Sequence, residues 1–502
     1  LIGLAARFRL FFQAFGDKHF LCRTDQSART KRAETEHAVR KAHPFAWNPE
    51  LKKSAQPVYL ALVDAIASDI QSGRLSTSDR LPAQRDLAKR LSLNYATVSR
   101  AYGEAQRRGL IYSRVGQGTF VCRPRVSSLA RARGGSLVDM TMNLPPEPDD
   151  PVLQQRLESG TGVLANNLRE LLRYQEFGGS PDARKAALRW LKHMGLSGSA
   201  DCLLVCPGAQ SAILATLGLL ARPGDVVLCE QLTYPGVRAV AAQLGIRLIG
   251  LPMDGEGIVS EAFEEACAEH HPKLLYVNPT LQNPTTNTIS AARRLELIRI
   301  ARAHGLSILE DDAYGVLPSP GPTPFALLAA DIVFYVTGFA KSLGAGLRVA
   351  YLLAPDARRT AQLSSILRAT AVMASPLTVA LATHWIEDGT ADATLAAVRS
   401  ESIVRQRMAR EILPLAQVQT DAQAFHLWLT LPEPWRRAAF ASHMRSLGVH
   451  TVVSDAFAVG AEPPEAVRMC LGGATTRDDI RRALELTADA LREPRSTEAA
   501  FF

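Results

Sequence analysis

Cysteine is scarce in this sequence and never clustered: 502 residues hold seven, at positions 22, 122, 202, 206, 229, 267 and 470, an odd number without one Cys-X-X-Cys pair. That excludes a disulfide-stapled scaffold, and a reducing cytoplasm is the compartment expected. Cys202 and Cys206 share one apolar stretch, where packed thiols are expected instead of metal ligands. Long unbroken apolar runs are missing as well. The first residues, LIGLAARFRLFFQAF, are interrupted by Arg7 and Arg9, so neither a secretory signal nor a membrane span fits. Leu203 to Ala221 comes nearest to a span, but Pro207, Gly208, Gln210 and Ser211 break it. A buried strand, a turn and a helix account for it better.

What is present is an ordinary globular composition, 47% apolar and 21% charged, in a chain too long for one hydrophobic core. Two or three domains are expected. Charge divides the chain: residues 1–51 carry a net +4, residues 52–136 a net +10 and the remainder a net −6, within a whole-chain +8. Positive charge confined to the amino-terminal third is what contact with a phosphate backbone requires. Residues 1–51 are polar, basic and without clear period, which predicts a disordered extension. Deleting residues 1–50 is expected to leave folding and DNA binding intact. The chain opens on Leu1 instead of Met, which points to processing or to a start placed too far upstream.

Between 52 and 122 the spacing predicts three helices and a hairpin. Tyr59, Leu62, Val63, Ile66 and Ile70 fall on one helical face that ends at Gly73. LPAQRDLAKRL reads as a second helix from near Pro82, Ser92 to Asn94 as a turn, and YATVSRAYGEAQRRG as a third helix closed by Gly109. Two short strands follow around Gly116-Gln117-Gly118. This is the order of a winged helix-turn-helix, and LPAQRDLAKRLSLNYATVSRAY with GQGTFV resembles the GntR family of regulators. The resemblance implies DNA contacts from Arg85, Thr97, Ser99, Arg100 and the wing-tip Gln117. Tyr95 stands where that family usually has arginine, so a tyrosine hydroxyl would take over the contact. Residues 123–138, rich in Arg, Ser and Gly, are expected to form a flexible basic linker.

From 139 to 375 helical and apolar segments alternate, the rhythm of a mostly parallel sheet covered by helices. Residues 376–502, with the strand FHLWLTLP, read as a smaller carboxyl-terminal α/β domain. Lys341 sits on a Gly-punctuated turn, TGFAKSLGAGLR, between the apolar segments DIVFYV and RVAYLLA. Asp311 and Tyr314 follow the apolar run LSIL, in EDDAYG, and Asn283 heads an Asn-Pro-Thr turn after LLYV. Arg348 lies a few residues beyond the lysine. A phosphorylated pyridine aldehyde needs these types: an amine for a Schiff base, a carboxylate for a protonated ring nitrogen, donors to a phenolate, and a cation for the phosphate. Pyridoxal 5'-phosphate (PLP) is the cofactor this set predicts; no metal is expected.

These motifs resemble the class I aminotransferase family, with its fold-type I architecture, from about Asp139 to Leu491. The resemblance implies that Lys341 is the Schiff-base lysine, Asp311 the partner of the pyridinium nitrogen, and Asn283 with Tyr314 the phenolate donors. Tyr234, in EQLTYPG, matches the ring-stacking aromatic. Ala209 and Gln210, in PGAQ, match the helix start whose amides hold the phosphate, with Arg348 as its cation. Tyr174, in RYQEFGGSP, resembles the phosphate-binding tyrosine lent by a neighbouring subunit, and Arg468, in EAVRMCLGG, the arginine that grips a carboxylate by two prongs. MNLPPEPDD resembles the arm that enters an aminotransferase active site. The hydroxyl residue usual three places before the lysine is here Gly338, which leaves Thr337 or Ser342 to take its part.

A winged helix fused ahead of an aminotransferase-like domain resembles the MocR subfamily of GntR regulators. That resemblance implies a bacterial, cytoplasmic regulator that binds operator DNA and pairs head to tail as a homodimer. It would sense PLP, or an amino-acid or amine effector, by exchange at Lys341. The alternative is a working PLP-dependent aminotransferase with an attached DNA-binding domain, since every group that chemistry needs is in the sequence.

Overall fold

The computed structural model describes residues 47–49, 57–72, 74–75, 79–107, 110–114, 118–121, 138–460 and 462–492. It divides into two compact units, Leu1–Gly134 and Gly135–Phe502. Residues 1–46, the wing-tip Gln117, Cys122 and residues 123–137 of the expected linker lie outside the described residues.

In the first unit, helices α1 (Val58–Gln71), α2 (Gln84–Arg90) and α3 (Tyr95–Arg107) precede the strands β1 (Ile111–Arg114) and β2 (Gly118–Val121). The strands pair antiparallel, with Ile111 opposite Val121. The turn between α2 and α3 is set locally: Ser92 takes a positive φ, and the Asn94 side chain accepts from the Ala96 amide at 3.0 Å, capping α3. Leu62, Val63, Ile66, Leu87, Val98 and Tyr102 form the core. The Tyr102 hydroxyl donates to the Pro82 carbonyl at 2.9 Å, so its polar end is satisfied beneath α2.

Trp47 carries this unit back beyond the start expected at residue 52. Only 4% exposed, it lies in the same core, and its indole N–H donates to Asp69 at 2.8 Å. A truncation at residue 50 therefore removes a core side chain. One tryptophan at the edge of an aperiodic basic stretch carries no periodic signal, which is why the sequence assigned it to the extension.

The second unit is built on a seven-stranded sheet. Its elements are β3 (Leu203–Cys206), α4 (Ala209–Leu220), β4 (Val226–Glu230), α5 (Pro235–Leu244), β5 (Arg247–Leu251), β6 (Leu274–Val277), β7 (Ser307–Asp311), β8 (Val333–Gly338) and β9 (Ala350–Leu353). The strand order is β3-β9-β8-β7-β6-β4-β5. Neighbours run parallel except at β9, which is antiparallel to both β8 and β3. Both faces are covered, so the strands are continuous apolar runs whose alternate residues enter two separate cores. Val333 and Tyr335 join Trp190, Leu275 and Phe339 on one face; Phe334 and Val336 join Ile213, Val240 and Leu309 on the other. Among the described residues, no helix is long and apolar enough to cross a membrane.

A smaller antiparallel sheet contains β10 (Val418–Gln419), β11 (His426–Thr430), β12 (Val452–Val453) and β13 (Ala466–Cys470), in the order β10-β11-β13-β12. The helices Thr390–Ile412, Arg437–Ser446 and Arg477–Arg492 pack into its core. The boundary expected at 376 falls inside the larger core, to which Ala382, Trp385, Leu395 and Val398 belong; the smaller core takes up the chain at Met408. The helix Thr390–Ile412 passes through both cores without a break, so its periodicity marks no boundary. From the other end of the unit, Val138 and Met140 join the smaller core, and Val138–Asp139 pairs in parallel with Val449–His450.

Trp47→Ala should destabilise the first unit by about 3–5 kcal/mol, the cost typical of emptying a tryptophan site. The check is thermal unfolding of the full chain alongside a chain lacking residues 1–46, which should unfold as the intact protein does. An unaltered midpoint in the Trp47→Ala variant would remove this residue from the core.

Candidate functional site

The residues that face a ligand leave the carboxyl ends of the strands, as is general for open α/β sheets. At the end of β7, Glu310, Asp311 and Asp312 alternate between the two faces. Glu310 accepts from the Phe325 and Ala326 amides at 2.9 and 2.8 Å and faces the buried Arg294 at 3.4 Å. Asp312 accepts from the Tyr335 hydroxyl at 2.9 Å. Asp311 turns the other way. The Tyr276 hydroxyl donates to its Oδ2 at 2.7 Å, while Oδ1 is buried with no hydrogen-bond partner. Burial raises this carboxyl to about 6, against the lowering influence of the Tyr276 bond and of Lys341. A buried orphan acceptor is costly, and a cationic N–H donor would satisfy it.

Lys341 closes a short 3₁₀ turn, Phe339–Lys341, directly after β8. Its ammonium donates to the Asn143 carbonyl at 2.5 Å and lies 5.5 Å from the centre of the Tyr314 ring. Desolvation lowers its pKa to about 8, and Arg468 pushes in the same direction. The amine is thus neutral far more often than that of a solvated lysine.

Asn283, beyond β6, accepts from Arg468 Nη1 at its Oδ1, 2.8 Å away, which leaves its Nδ2 to donate to a ligand. Arg468, on β13, also donates through Nη2 to the Thr141 carbonyl, and its Nε is buried without a partner. The Tyr314 hydroxyl oxygen accepts from Asn143 Nδ2 at 2.9 Å and keeps its own proton for another acceptor. Burial holds that phenol well above the usual tyrosine range.

A second pole lies at the start of α4. Gly208 precedes it with φ 91°, and no side chain caps the helix. The Arg348 guanidinium lies so close that a Cβ on Gly208 would come within 2.8 Å of Nη2. A cation facing the positive end of a helix is repelled unless an anion stands between them. The Gln210 side chain donates to the Gly236 carbonyl at 2.9 Å, tying this helix start to the first turn of α5, whose N-cap is Tyr234. Tyr234 is half-buried, and burial first and the Asp311 charge second raise its pKa.

Gly338 has a steric cause: a Cβ there would stand 2.8 Å from the carbonyl oxygen of Val349, just ahead of the adjoining strand. No hydroxyl side chain fits. Of its two proposed stand-ins, Thr337 donates to the Asp312 carbonyl at 3.1 Å, whereas Ser342 Oγ is buried without a partner. Ser342 keeps a hydroxyl to offer.

Tyr174 stands apart from this set and is 79% exposed. In the first unit, Arg85, Tyr95 and Arg100 are exposed, and Thr97 and Ser99 are half-buried on α3. The Arg85 guanidinium carbon lies 5.9 Å from the Tyr95 ring centre, and that of Arg100 lies 4.3 Å over Tyr59. Arg100 therefore also braces α3 against α1.

Three residues of the site escaped the sequence reading. Tyr276 was visible only as a tyrosine in an otherwise aliphatic strand, whose buried hydroxyl requires a partner. Asn278 donates to the Asp311 carbonyl at 2.6 Å and accepts from the Asn283 amide at 2.8 Å, joining two strand ends. Asn143 meets Tyr314 from 171 residues away, a pairing that no spacing reveals.

Comparison with known proteins places two families along the chain. Residues 58–121 match the bacterial regulatory proteins of the gntR family, and residues 137–486 match aminotransferase class I and II. The chain is 30% identical over 449 residues to the uncharacterized HTH-type transcriptional regulator YdeF of Bacillus subtilis, covering 88% of this chain and 96% of that one. It is 26% identical over 327 residues to the probable rhizopine catabolism regulatory protein MocR of Rhizobium meliloti, covering 60% and 66%. Among solved structures it is similar to the kynurenine aminotransferase of Pyrococcus horikoshii, with TM-score 0.66 and 20% identity over 79% of this chain and all of that one. An archaeal alanine:glyoxylate aminotransferase superposes with TM-score 0.66 at 23% identity, covering 73% and 93%.

Because the unprotonated amine is the nucleophile, the rate at which Lys341 reacts with an added aldehyde should rise as pH passes about 8 and level off above it. Rates followed by absorbance across this range provide the check. A rate still climbing towards the ordinary lysine value of 10.5 would mean a solvated amine.

Proposed function

The chain belongs to the aminotransferase class I and II family, a helix-turn-helix regulator of GntR type fused to an aminotransferase-like domain, and from that premise we propose that it holds PLP and answers to PLP itself or to an amino acid or amine. One observation carries the reading: the site holds two unmet groups of opposite sign, the orphan Oδ1 of Asp311 and the positive groups of Arg348 and the α4 start, and Tyr234 feels the charges of both Asp311 and Arg348. A ligand with a cationic ring nitrogen and a phosphate suits both. PLP supplies an aldehyde carbon that condenses with primary amines and a ring that accepts electrons from that carbon.

In this reading Asp311 accepts from the ring nitrogen and Tyr234 stacks on the ring. Tyr314 and Asn283 donate to the phenolate oxygen. The amides of Ala209 and Gln210, with Arg348, hold the phosphate. Lys341 is the resident amine, which gives place to the effector's amine while Arg468 binds a carboxylate. Arg85, Tyr95, Thr97, Ser99, Arg100 and Gln117 face operator DNA, and the regulator acts in the cytoplasm. The exposed Tyr174 supports a head-to-tail homodimer in which it reaches a neighbouring phosphate site. A coupling of about 1–3 kcal/mol between effector and DNA is enough for regulation.

A working aminotransferase is the second reading, favoured by the lowered Lys341 pKa and by the Arg468 contact with Asn283. An absorbance titration with PLP and then amino acids, repeated with DNA from upstream of its own gene, separates the two. Spectral shifts that stall and change DNA affinity belong to the regulator; steady keto-acid production with indifferent DNA binding belongs to the enzyme.

Lys341→Ala should abolish both the yellow absorbance and the reducible adduct, and an adduct that persists would move the amine elsewhere. Arg85→Ala should weaken operator binding by about 1–3 kcal/mol in a gel-shift titration while PLP binding stays unchanged.

A further inference from the structure

Three stretches that carry ligand-facing residues meet at one buried side chain, Glu230, which ends β4 and is 1% exposed. Its Oε1 accepts from the Asn278 amide at 2.6 Å and its Oε2 from the Thr233 hydroxyl at 3.0 Å. Thr233 directly precedes Tyr234, and its own amide donates to the Phe457 carbonyl at 2.9 Å, so the turn into α5 is held from two sides. Asn278 continues the network. Its Nδ2 donates to the Asp311 carbonyl at 2.6 Å, and its Oδ1 accepts from the Asn283 amide at 2.8 Å. One carboxyl group therefore anchors the turn bearing Tyr234 and, through Asn278, the strand ends bearing Asn283 and Asp311.

We propose that Glu230 is a positioning residue of this site: its two hydrogen bonds brace Tyr234, Asn283 and Asp311, and its negative charge strengthens the hold of Asp311 on a cationic ring nitrogen. The proposal rests on the reading of the site given above and adds to it a second carboxylate that acts through others.

Both partners of Glu230 are donors, as an ionised carboxyl requires. Burial opposes that charge and raises the carboxyl to about 7, and the Asp311 charge pushes the same way. Glu230 is also felt by Tyr276 on β6 and by Cys229 on its own strand, a phenol and a thiol held well above their ordinary ranges. Of these three neighbours, Asp311 alone is charged near neutral pH. Lys341 relieves Asp311, whereas Glu230 has only its two donors and a like charge beside it. A cation at the free Oδ1 of Asp311 attracts both carboxylates, so ionised Glu230 tightens its binding and neutral Glu230 does not. That contribution appears as pH rises through about 7 and is lost below it.

The test is titration calorimetry of the full-length protein with 4'-deoxypyridoxine 5'-phosphate, which keeps the ring nitrogen, phenol and phosphate of PLP but has no aldehyde for Lys341. Glu230→Gln removes the charge and keeps both bonds, because its carbonyl oxygen accepts from the Asn278 amide and the Thr233 hydroxyl accepts from its amino group. This variant should bind the probe roughly tenfold more weakly than the unsubstituted protein at about pH 8, and within about twofold of it at about pH 5.5. Titration of the probe itself is common to both proteins and cancels in the ratio. Glu230→Ala, which loses both acceptors, should bind more weakly than Glu230→Gln at both values; if it does not fold, Glu230→Asp, too short to reach both donors, takes its place. A ratio between Glu230→Gln and the unsubstituted protein that stays constant with pH overturns the charge effect. Equal affinities of the shortened variant and Glu230→Gln at about pH 5.5 overturn the bracing, and in both cases the cofactor reading stands. A probe that the unsubstituted protein does not bind brings down that reading and this proposal together.

Discussion

A carboxylate buried at a strand end with one oxygen unsatisfied is the constraint around which the larger unit is arranged. Asp311 receives one hydrogen bond from Tyr276, feels Lys341 nearby, and is still held near pKa 6 by its burial. Its neighbours cannot relieve it. Strand alternation points Glu310 and Asp312 to the opposite face, where Glu310 meets Arg294 and the amides of Phe325 and Ala326 and Asp312 accepts from the Tyr335 hydroxyl. The remaining oxygen of Asp311 is thus addressed to something outside the chain, and a cationic N–H answers it.

The opposite excess stands at the beginning of α4, where Arg348 and an uncapped helix start confront each other across Gly208. The site therefore carries an unmet negative group and an unmet positive one, and Tyr234 feels the charges of both Asp311 and Arg348. Strand direction is responsible, since a largely parallel sheet delivers Ala209, Tyr234, Asn283, Asp311 and Lys341 to the same edge. The smaller sheet adds Arg468 from β13, and the segment before the larger sheet adds Asn143 and Thr141. Groups from three separate stretches of chain meet there.

How much of this was legible in the sequence depends on the range of the interaction. The turn bearing Lys341, the Pro-Gly-Ala-Gln helix start and the helix-turn-helix pattern are local, and the structure has their elements where periodicity and turn residues put them. Gly338 was legible as a departure but not as a necessity, because its cause is the carbonyl of Val349, just ahead of the adjoining strand. Arg100 was legible as a charge, but its stacking on Tyr59 depends on how α1 crosses α3. The boundary near 376 was misplaced because the helix Thr390–Ile412 passes from one core to the other without interruption.

By itself the sequence determined the order of elements, the division into a basic amino-terminal module and a mildly acidic body, and the residue types at each strand end. Those properties follow from spacing, composition and charge, which are additive along the chain. Only the tertiary structure decided which buried polar atoms remain unsatisfied, Oδ1 of Asp311, Nε of Arg468, Oγ of Ser342 and Oδ1 of Asn143 among them. Whether a buried atom has a partner depends on groups brought within about 3 Å from anywhere in the chain, and folding alone makes those neighbours.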